Sequence, residues 1–247
     1  GSKPITEIEV DEHAAEAGII TRLEAFVDTI RGFYNSKNEV EEAKKDIYRG
    51  APTVGHSKGT LLLPRMAPHA EVLSAAFRAF GINAITLPPS DEKSLLYSDK
   101  LSTGKECLPF RITIGDFLRF YYENGHHGVD LSDVEAFMAG AYGACRFGKY
   151  APEQARVLRD VGFDIPVLTS VANTGYRDTG LGAGFERLAW KGVVAMDYLQ
   201  KLLWQTRPYE KSEGSADELF RELGSRVTQR VQSKQDSNDI LREAGPM

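Results

Sequence analysis

Two spacings of apolar residues divide the chain into predicted strands and predicted helices. Short continuous apolar runs are typical of buried strands. Four such runs comprise residues 60–63, 84–87, 134–138 and 165–168. Between the runs, apolar residues recur at three- and four-residue steps, as on one face of a helix. These helical stretches comprise residues 70–80, 109–122 and 152–161. Strands that alternate with helices predict an α/β protein with a parallel sheet flanked by helices.

Helical patterns without strands lie at both ends of the chain. Residues 11–49 predict an N-terminal helical arm with one apolar stripe. Residues 185–206 predict the longest helix, with Leu199 in the middle of its apolar face, and 216–232 predict another. The polar chain beyond that helix is expected to fray. The polar stretch 90–105 predicts a loop with room for one helical turn. The expected organisation is a cloning scar at 1–2, an N-terminal helical segment at 3–52, an α/β domain at 53–210, and a C-terminal helix with a polar tail at 211–247.

Composition narrows the class of protein. The 247 residues are 42% hydrophobic, 26% charged and carry a formal net charge of −5. This acidity argues against a nucleic-acid partner, since such proteins usually present a basic face. No apolar run approaches the ~20 residues of a membrane span, and the N-terminus has no apolar signal core. Two cysteines exclude a disulfide framework, so a cytoplasmic, reducing compartment is expected.

Polar and thiol side chains follow the ends of the predicted strands. They are Arg65 and His69 after the first strand, Lys105, Glu106 and Cys107 after the second, Cys145, Arg146 and Tyr150 after the third, and Asn173 after the fourth. Ligands of open parallel sheets bind beyond the carboxyl ends of the strands. The sequence therefore predicts that these residues share one edge of the sheet.

The two cysteines are the strongest candidates for chemistry. Cys107 precedes Pro109 at a predicted helix N-terminus, where the helix dipole and Lys105 favour a thiolate. Cys145 lies beside Arg146 in a glycine-rich loop. Two activated thiols at one edge suggest a soft-metal or iron–sulfur site. The alternative is that both are small, half-buried residues, and two cysteines are too few for a four-thiolate cluster.

Glycine-rich segments and histidines carry weaker signals. The segments 140–143 and 180–184 could cradle a phosphate, but neither has the dinucleotide-binding or the P-loop pattern. The alternative is that both are flexible connections. Among the five histidines, His69 is best placed because it opens a helix directly after a strand, and no pair has the spacing of a zinc site.

A second kind of pattern extends over residues 8–210. It includes Gly104-Lys105-Glu106-Cys107 and Cys145-Arg146-Phe147-Gly148, together with His69 and the stretches 10–13, 17–26, 64–66, 75–81, 188–192 and 206–210. Taken in chain order, these motifs resemble those of the large activase-related proteins of the 2-hydroxyacyl-CoA dehydratase system. In that family an ATPase module drives low-potential electrons into iron–sulfur dehydratase-like subunits, and this chain resembles the dehydratase-like module.

The resemblance implies Rossmann- or flavodoxin-like domains with a cluster held by cysteines at a domain interface, such as a 4Fe-4S cluster. Cys107 and Cys145 match the cysteine motifs of the family. Relatives often have Cys-x-Pro-Cys at the first motif, whereas here the fourth position is Phe110. A further ligand is then missing, or it comes from a partner chain or another part of the parent protein.

The expected function is an iron–sulfur-related electron-transfer or accessory module of an acyl-CoA dehydratase or activase system. Cys107 and Cys145 would ligate the metal, while three basic residues (Arg65, Lys105 and Arg146) would offset negative charge. Asn173 and the glycines of 175–184 would shape the pocket. The expected partner is the ATP-dependent activase module, the parent polypeptide or a second copy of the chain. The alternatives are a cluster-less interaction domain that docks the ATPase module through the helix at 11–34, and a nucleotide- or CoA-binding enzyme.

Overall fold

The computed structural model describes residues 6, 16–35, 54, 57–101, 106–124, 133–141, 145–171 and 177–245. It divides into two compact units, residues 1–50 and 51–247. In the first unit, helix α1 (Glu16–Asn35) forms within the helical arm predicted over 11–49, and the rest of that arm lies outside the described residues. Three apolar side chains of α1 are exposed, namely Ile20, Leu23 and Val27.

The second unit alternates strands and helices along the chain. Its elements are β1 (Thr60–Leu63), α2 (His69–Ala79), β2 (Ala84–Thr86), α3 (Glu92–Asp99), α4 (Leu108–Asn124), β3 (Val134–Gly140), α5 (Tyr150–Asp160), β4 (Val167–Val171), α6 (Gly182–Thr206), α7 (Ser215–Gln232) and α8 (Asn238–Ala244). A short 3₁₀ turn precedes α5 at Arg146–Lys149. Two more flank α6, one before it at Arg177–Thr179 and one after it at Arg207–Tyr209.

The four described strands form one parallel sheet in the order β2-β1-β3-β4. Leu62 on β1 pairs with Ile85 on one side and with Ala136 on the other. The prediction of a parallel α/β sheet flanked by helices is confirmed. The strand order reverses between β1 and β3, as in flavodoxin-like folds.

Alternate side chains of each strand enter two separate hydrophobic clusters. Leu61 and Leu63 lie in the cluster that contains α2, α6, α7 and α8, while Leu62 lies in the cluster with α4 and α5. Both faces of the sheet are therefore covered, which explains why the strands appear as continuous apolar runs. Leu199 of α6 is only 2% exposed in the first cluster, as its central position on the apolar face predicts.

Helix α3 corrects the expectation of a loop with one helical turn. The side chain of Asp91 accepts hydrogen bonds from the backbone N–H groups of Lys93 and Ser94, and the Asp91 N–H donates to the Ser94 hydroxyl. This capping box starts a helix of eight residues. Hydrophobic periodicity missed the helix because its start depends on the cap and only a few of its side chains are apolar.

Three strands also differ from the prediction in their boundaries. Strand β2 ends at Thr86, one residue early, β3 continues to Gly140, and β4 spans Val167–Val171 instead of 165–168. Pro166 explains the late start of β4, because proline has no N–H to donate to a neighbouring strand. Its carbonyl oxygen still accepts a hydrogen bond from the Ala136 N–H at 2.8 Å, just before β4 begins.

The expected frayed tail contains helix α8. Ile240 and Ala244 of α8 are each 1% exposed in the cluster that also contains Val227 of α7. The guanidinium groups of Arg226 and Arg230 pair with carboxylates of α8. The polar composition of this segment hid the few apolar residues that anchor it. Among the described helices, none combines the length and apolar character needed to cross a membrane.

Candidate functional site

A cavity of about 180 Å³ lies where the N-terminal ends of α4 and α5 meet. We call it the thiol pocket, and its described lining consists of Glu106, Cys107, Phe110, Arg146, Lys149, Tyr150 and Glu153. Helix α4 follows β2 along the chain and α5 follows β3, so both helices begin on the carboxyl side of the parallel sheet. This topology brings residues from two distant parts of the chain together.

The side chain of Cys107 contacts that of Tyr150, with 2.7 Å between the Sγ and Oη atoms. This hydrogen bond lowers the pKa of the Cys107 thiol, and the nearby charge of Arg146 and a hydrogen bond with the Phe110 backbone act in the same direction. Partial burial opposes them, but the net pKa is below the ordinary value. The pKa of Tyr150 is raised, first by burial and then by its bond to Cys107. The contact thus favours the thiolate form of Cys107 and the neutral form of the Tyr150 phenol.

Cys145 approaches the same tyrosine from the loop that follows β3. It is exposed and precedes the 3₁₀ turn Arg146–Lys149, which leads directly into α5. A coulombic interaction with Cys145 contributes to the raised pKa of Tyr150. The structure thus places both cysteines within electrostatic reach of one phenol. Residues 142–144, which precede Cys145, lie outside the described part of the chain.

Aromatic rings form the wall behind the thiol. The ring of Phe110 packs edge-on against Tyr150, with centroids 5.3 Å apart, and Phe147 packs on Tyr150 at 5.2 Å. Phe110 is 6% exposed and belongs to the cluster beneath α4 and α5. Phe110 is thus part of the hydrophobic core.

Charges of both signs line the thiol pocket. Arg146 and Lys149 contribute positive charge beside the cysteines, and Glu106 and Glu153 contribute negative charge. Glu153 is already paired with Arg156 on the next turn of α5, with oxygen–nitrogen distances from 2.6 Å. Much of its charge is compensated within α5, so the field at Cys107 is dominated by Arg146, in agreement with the lowered pKa of the thiol.

Two predicted site residues make their described contacts elsewhere. Arg65 pairs with Glu71 at 2.7 Å, and His69 Nε2 lies 2.7 Å from Asp197 Oδ1 of α6. Neither Glu71 nor Asp197 lines the thiol pocket. The residues that were predicted to share one edge of the sheet therefore lie on two different faces of the sheet.

Two other predicted site residues, Lys105 and Asn173, lie outside the described residues, as does Gly175. Of the later glycines, Gly180 and Gly182 have φ values of +74° and +79° at the start of α6. These are left-handed conformations that favour glycine. The described glycines therefore serve the turn into α6.

Sequence reasoning placed Tyr150 at the correct edge but gave it no role, and it did not select Lys149, Glu153 or the packing of Phe110. A usable signal was present in the three-residue spacing of Phe147 and Tyr150, which puts two aromatic rings on one side of a helical turn just after Cys145. The pairing of Tyr150 with Cys107 had no local signal, because the two residues are 43 positions apart.

The donor set fits part of a soft-metal or iron–sulfur coordination shell. Thiolates are the ligands that such centres select, and Tyr150 and Arg146 favour the thiolate form of Cys107. The chain has two cysteines, which is half of a four-thiolate shell. Among the described residues, no group of three or more His, Cys, Asp and Glu side chains is arranged to hold a metal ion. No family model matches this chain, and neither a curated protein nor a solved structure matches it.

Proposed function

We propose that this protein is an iron–sulfur-related electron-transfer or accessory module of an acyl-CoA dehydratase or activase system, in which Cys107 and Cys145 ligate the metal. The observation that carries the proposal is the contact of Cys107 with Tyr150, since this contact and Arg146 lower the pKa of the thiol. A thiolate, not a thiol, is the form that ligates metal. Cys145 contributes a second thiol beside the same tyrosine.

Each residue around the pair has a physical role in this proposal. Tyr150 orients the Cys107 sulfur and donates a hydrogen bond to it, and hydrogen bonds to ligating sulfur tune the electronics of such centres. Arg146 and Lys149 offset the negative charge that accumulates at thiolate ligands. Phe110 and Phe147 support the Tyr150 ring and restrict water behind it. When bound, an iron–sulfur group would supply one-electron redox chemistry.

In this proposal, the metal ligands other than Cys107 and Cys145 are not cysteines of this chain. Cys145 is exposed, so a second protein surface can reach the site. An ATP-dependent activase module, the rest of a parent polypeptide or a second copy of this chain would complete the shell. The site requires reduced thiols. In this proposal the protein is therefore cytoplasmic, since thiols stay reduced in that compartment.

Anaerobic reconstitution with ferrous iron and sulfide tests the proposal. We expect the wild-type chain to retain iron and sulfide after desalting, with charge-transfer absorption in the visible range. Cys107→Ser and Cys145→Ser should each lower the bound iron, and the double variant should retain only background. Retention by the double variant equal to that of wild type would contradict the assignment, as would background iron in the wild type.

A second candidate function is a cluster-less interaction domain, and α1 supports it. Ile20, Leu23 and Val27 are exposed on α1 at three- and four-residue spacing, which presents an apolar stripe. In this alternative α1 docks the ATPase module. Leu23→Glu should then abolish co-elution with a purified ATPase module, while the double cysteine variant should co-elute like wild type. The reverse pattern would favour the metal site.

A further inference from the structure

A second and larger cavity lies on the opposite face of the sheet from the thiol pocket. Its volume is about 410 Å³, within the ~300–1,000 Å³ range of small-molecule sites. It is enclosed by α2, α6 and the carboxyl-terminal halves of β3 and β4. Ligands of doubly wound sheets bind in this region. We call it the α2–α6 cavity.

The walls of the α2–α6 cavity are almost entirely apolar. Their described apolar members are Leu73, Phe77, Phe137, Ala139, Phe185, Ala189, Trp190 and Val193. The ring of Phe77 packs against two others: it stacks on Phe185 at 4.8 Å and meets Phe137 edge-on at 5.3 Å. A wall of interlocked rings keeps its shape, so the cavity is suited to an apolar chain or ring.

Two buried hydroxyl residues, Ser170 and Thr179, interrupt this apolar lining. Thr179 is 2% exposed, and its Oγ1 accepts a hydrogen bond from the Leu181 N–H at 3.4 Å. A hydroxyl group that accepts one hydrogen bond still carries a proton that it can donate to an acceptor atom on a ligand. The cavity therefore offers a hydrogen-bond donor beside apolar walls.

The surroundings of Thr179 favour an anionic acceptor. Thr179 lies just before α6, a helix of 25 residues with no acidic residue in its first turn and no side-chain cap at Leu181. The positive end of the helix dipole is thus uncompensated by the helix itself. Arg187 and Glu186 also line the cavity, and Arg187 is the more exposed of the two. Among the described residues Arg187 has no ion-pair partner, so its guanidinium group is available to a carboxylate.

From these features we infer that the α2–α6 cavity binds a monocarboxylate with an apolar tail. The tail lies against Phe77, Phe137 and Phe185. The carboxylate accepts a hydrogen bond from Thr179 and is attracted by Arg187 and the N-terminal end of α6. This inference goes beyond the proposed function and involves none of the thiol-pocket residues.

Octanoate is a suitable probe, and Trp190 supplies the signal. The chain has two tryptophans, and only Trp190 lines the cavity, so Trp204→Phe leaves a single reporter. In this background we expect saturable fluorescence change and calorimetric binding of octanoate to the iron-free full chain. Octan-1-ol, with the same tail and no charge, should bind at least about tenfold more weakly, as a charge-assisted hydrogen bond predicts.

Two substitutions locate the site, each with a matched control. Thr179→Val keeps the volume and removes the donor, so octanoate should bind about tenfold more weakly. Thr169→Val is its control, because Thr169 lies on β4 and does not line the cavity. Ala189→Leu should fill the cavity and abolish binding, whereas Val194→Leu on the exposed side of α6 should leave affinity unchanged.

The inference is overturned if octanoate shows no saturable binding, or if octan-1-ol binds as tightly. Equal affinity of wild type, Thr179→Val and Arg187→Gln would overturn it as well. Arg187 is exposed, so Arg187→Gln tests the charge without disturbing the core. Because the probe is applied to iron-free protein, the outcome is independent of the reconstitution experiment at Cys107 and Cys145.

Discussion

The Cys107 thiol and the Tyr150 hydroxyl lie 2.7 Å apart, although the two residues start different helices on either side of β3 in the chain. The contact depends on α4 and α5 covering the same face of the sheet, where their apolar residues share one cluster. The contact thereby joins a phenol with a raised pKa to a thiol with a lowered pKa. This pair sets the chemistry of the thiol pocket.

Removal of the Tyr150 hydroxyl should raise the pKa of Cys107. The hydrogen bond from Tyr150 is the largest cause of the lowered pKa, so Tyr150→Phe leaves the thiolate less stabilised. In a Cys145→Ser background, the rate of alkylation by iodoacetamide as a function of pH reports Cys107 alone. The midpoint of this pH profile should move to higher pH. At a pH below both midpoints, the alkylation rate of Tyr150→Phe should therefore be lower than that of the parent protein, because less of the thiol is ionised.

Tyr121→Phe is the matched control for this measurement. Tyr121 stacks on Phe163 at 4.6 Å in the same hydrophobic cluster but does not line the thiol pocket. Tyr121→Phe should leave the midpoint of the pH profile for Cys107 alkylation unchanged. An unchanged midpoint in Tyr150→Phe would show that the hydrogen bond does not stabilise the thiolate.

Thr169→Val should stabilise the fold. Thr169 is buried and its Oγ1 atom has no hydrogen-bond partner among the described residues, so valine removes an unsatisfied polar group at nearly constant volume. We expect a gain of about 1 kcal/mol in the free energy of unfolding, measured by urea denaturation. Thr113→Val is the contrast, because Thr113 donates to backbone carbonyls and accepts from Gln154 at 2.9 Å. Thr113→Val should lower the free energy of unfolding by about 1–3 kcal/mol. A decrease of similar size in Thr169→Val would contradict this account.

Leu199→Ala should cost about 2–5 kcal/mol of unfolding free energy, because Leu199 is 2% exposed in the cluster between α6 and the sheet. Val194→Ala, on the exposed side of the same helix, should stay within about 0.5 kcal/mol. Thermal and urea unfolding of the two variants provide the measurement. If both lost the same small amount, the apolar face of α6 would not be packed as described.

Asp116 should make stability depend on pH. It is buried in α4, and burial raises the pKa of its carboxyl group above the usual value, against the effect of hydrogen bonds from Ser94 and Ser90. A raised pKa in the folded state means that stability falls as pH rises from the unfolded pKa through the folded one. Asp116→Asn removes this titration. The stability of wild type relative to Asp116→Asn should therefore decrease over that window, and a constant difference would contradict the assignment.

The elements that sequence predicted best are those whose signal is local. The run of three leucines in β1 and the apolar face around Leu199 both correspond to structure. Burial on both faces of a sheet leaves a continuous apolar run, and burial on one side of a helix leaves a periodic one. Helix α3 was missed because its start is fixed by the side chain of Asp91, and α8 because Ile240 and Ala244 anchor an otherwise polar segment.

The candidate site was predictable only in part. The positions of Cys107 and Cys145 after strand ends were sufficient to place both at the carboxyl side of the sheet. The contact with Tyr150 was not predictable, because it depends on how α4 and α5 pack over the sheet. The separation of Arg65 and His69 from the thiol pocket has the same origin, since each pairs with a residue on a different helix, Glu71 on α2 and Asp197 on α6.

Protection of the two thiols by metal tests the central claim most directly. The chain is reconstituted anaerobically with ferrous iron and sulfide and then alkylated, and the Cys107 and Cys145 peptides are quantified by mass spectrometry beside those of iron-free protein. We predict that both thiols become protected together, and that removal of iron by a chelator restores alkylation of both. Alkylation of Cys107 and Cys145 at the iron-free rate after reconstitution would contradict the proposal that these residues ligate the metal.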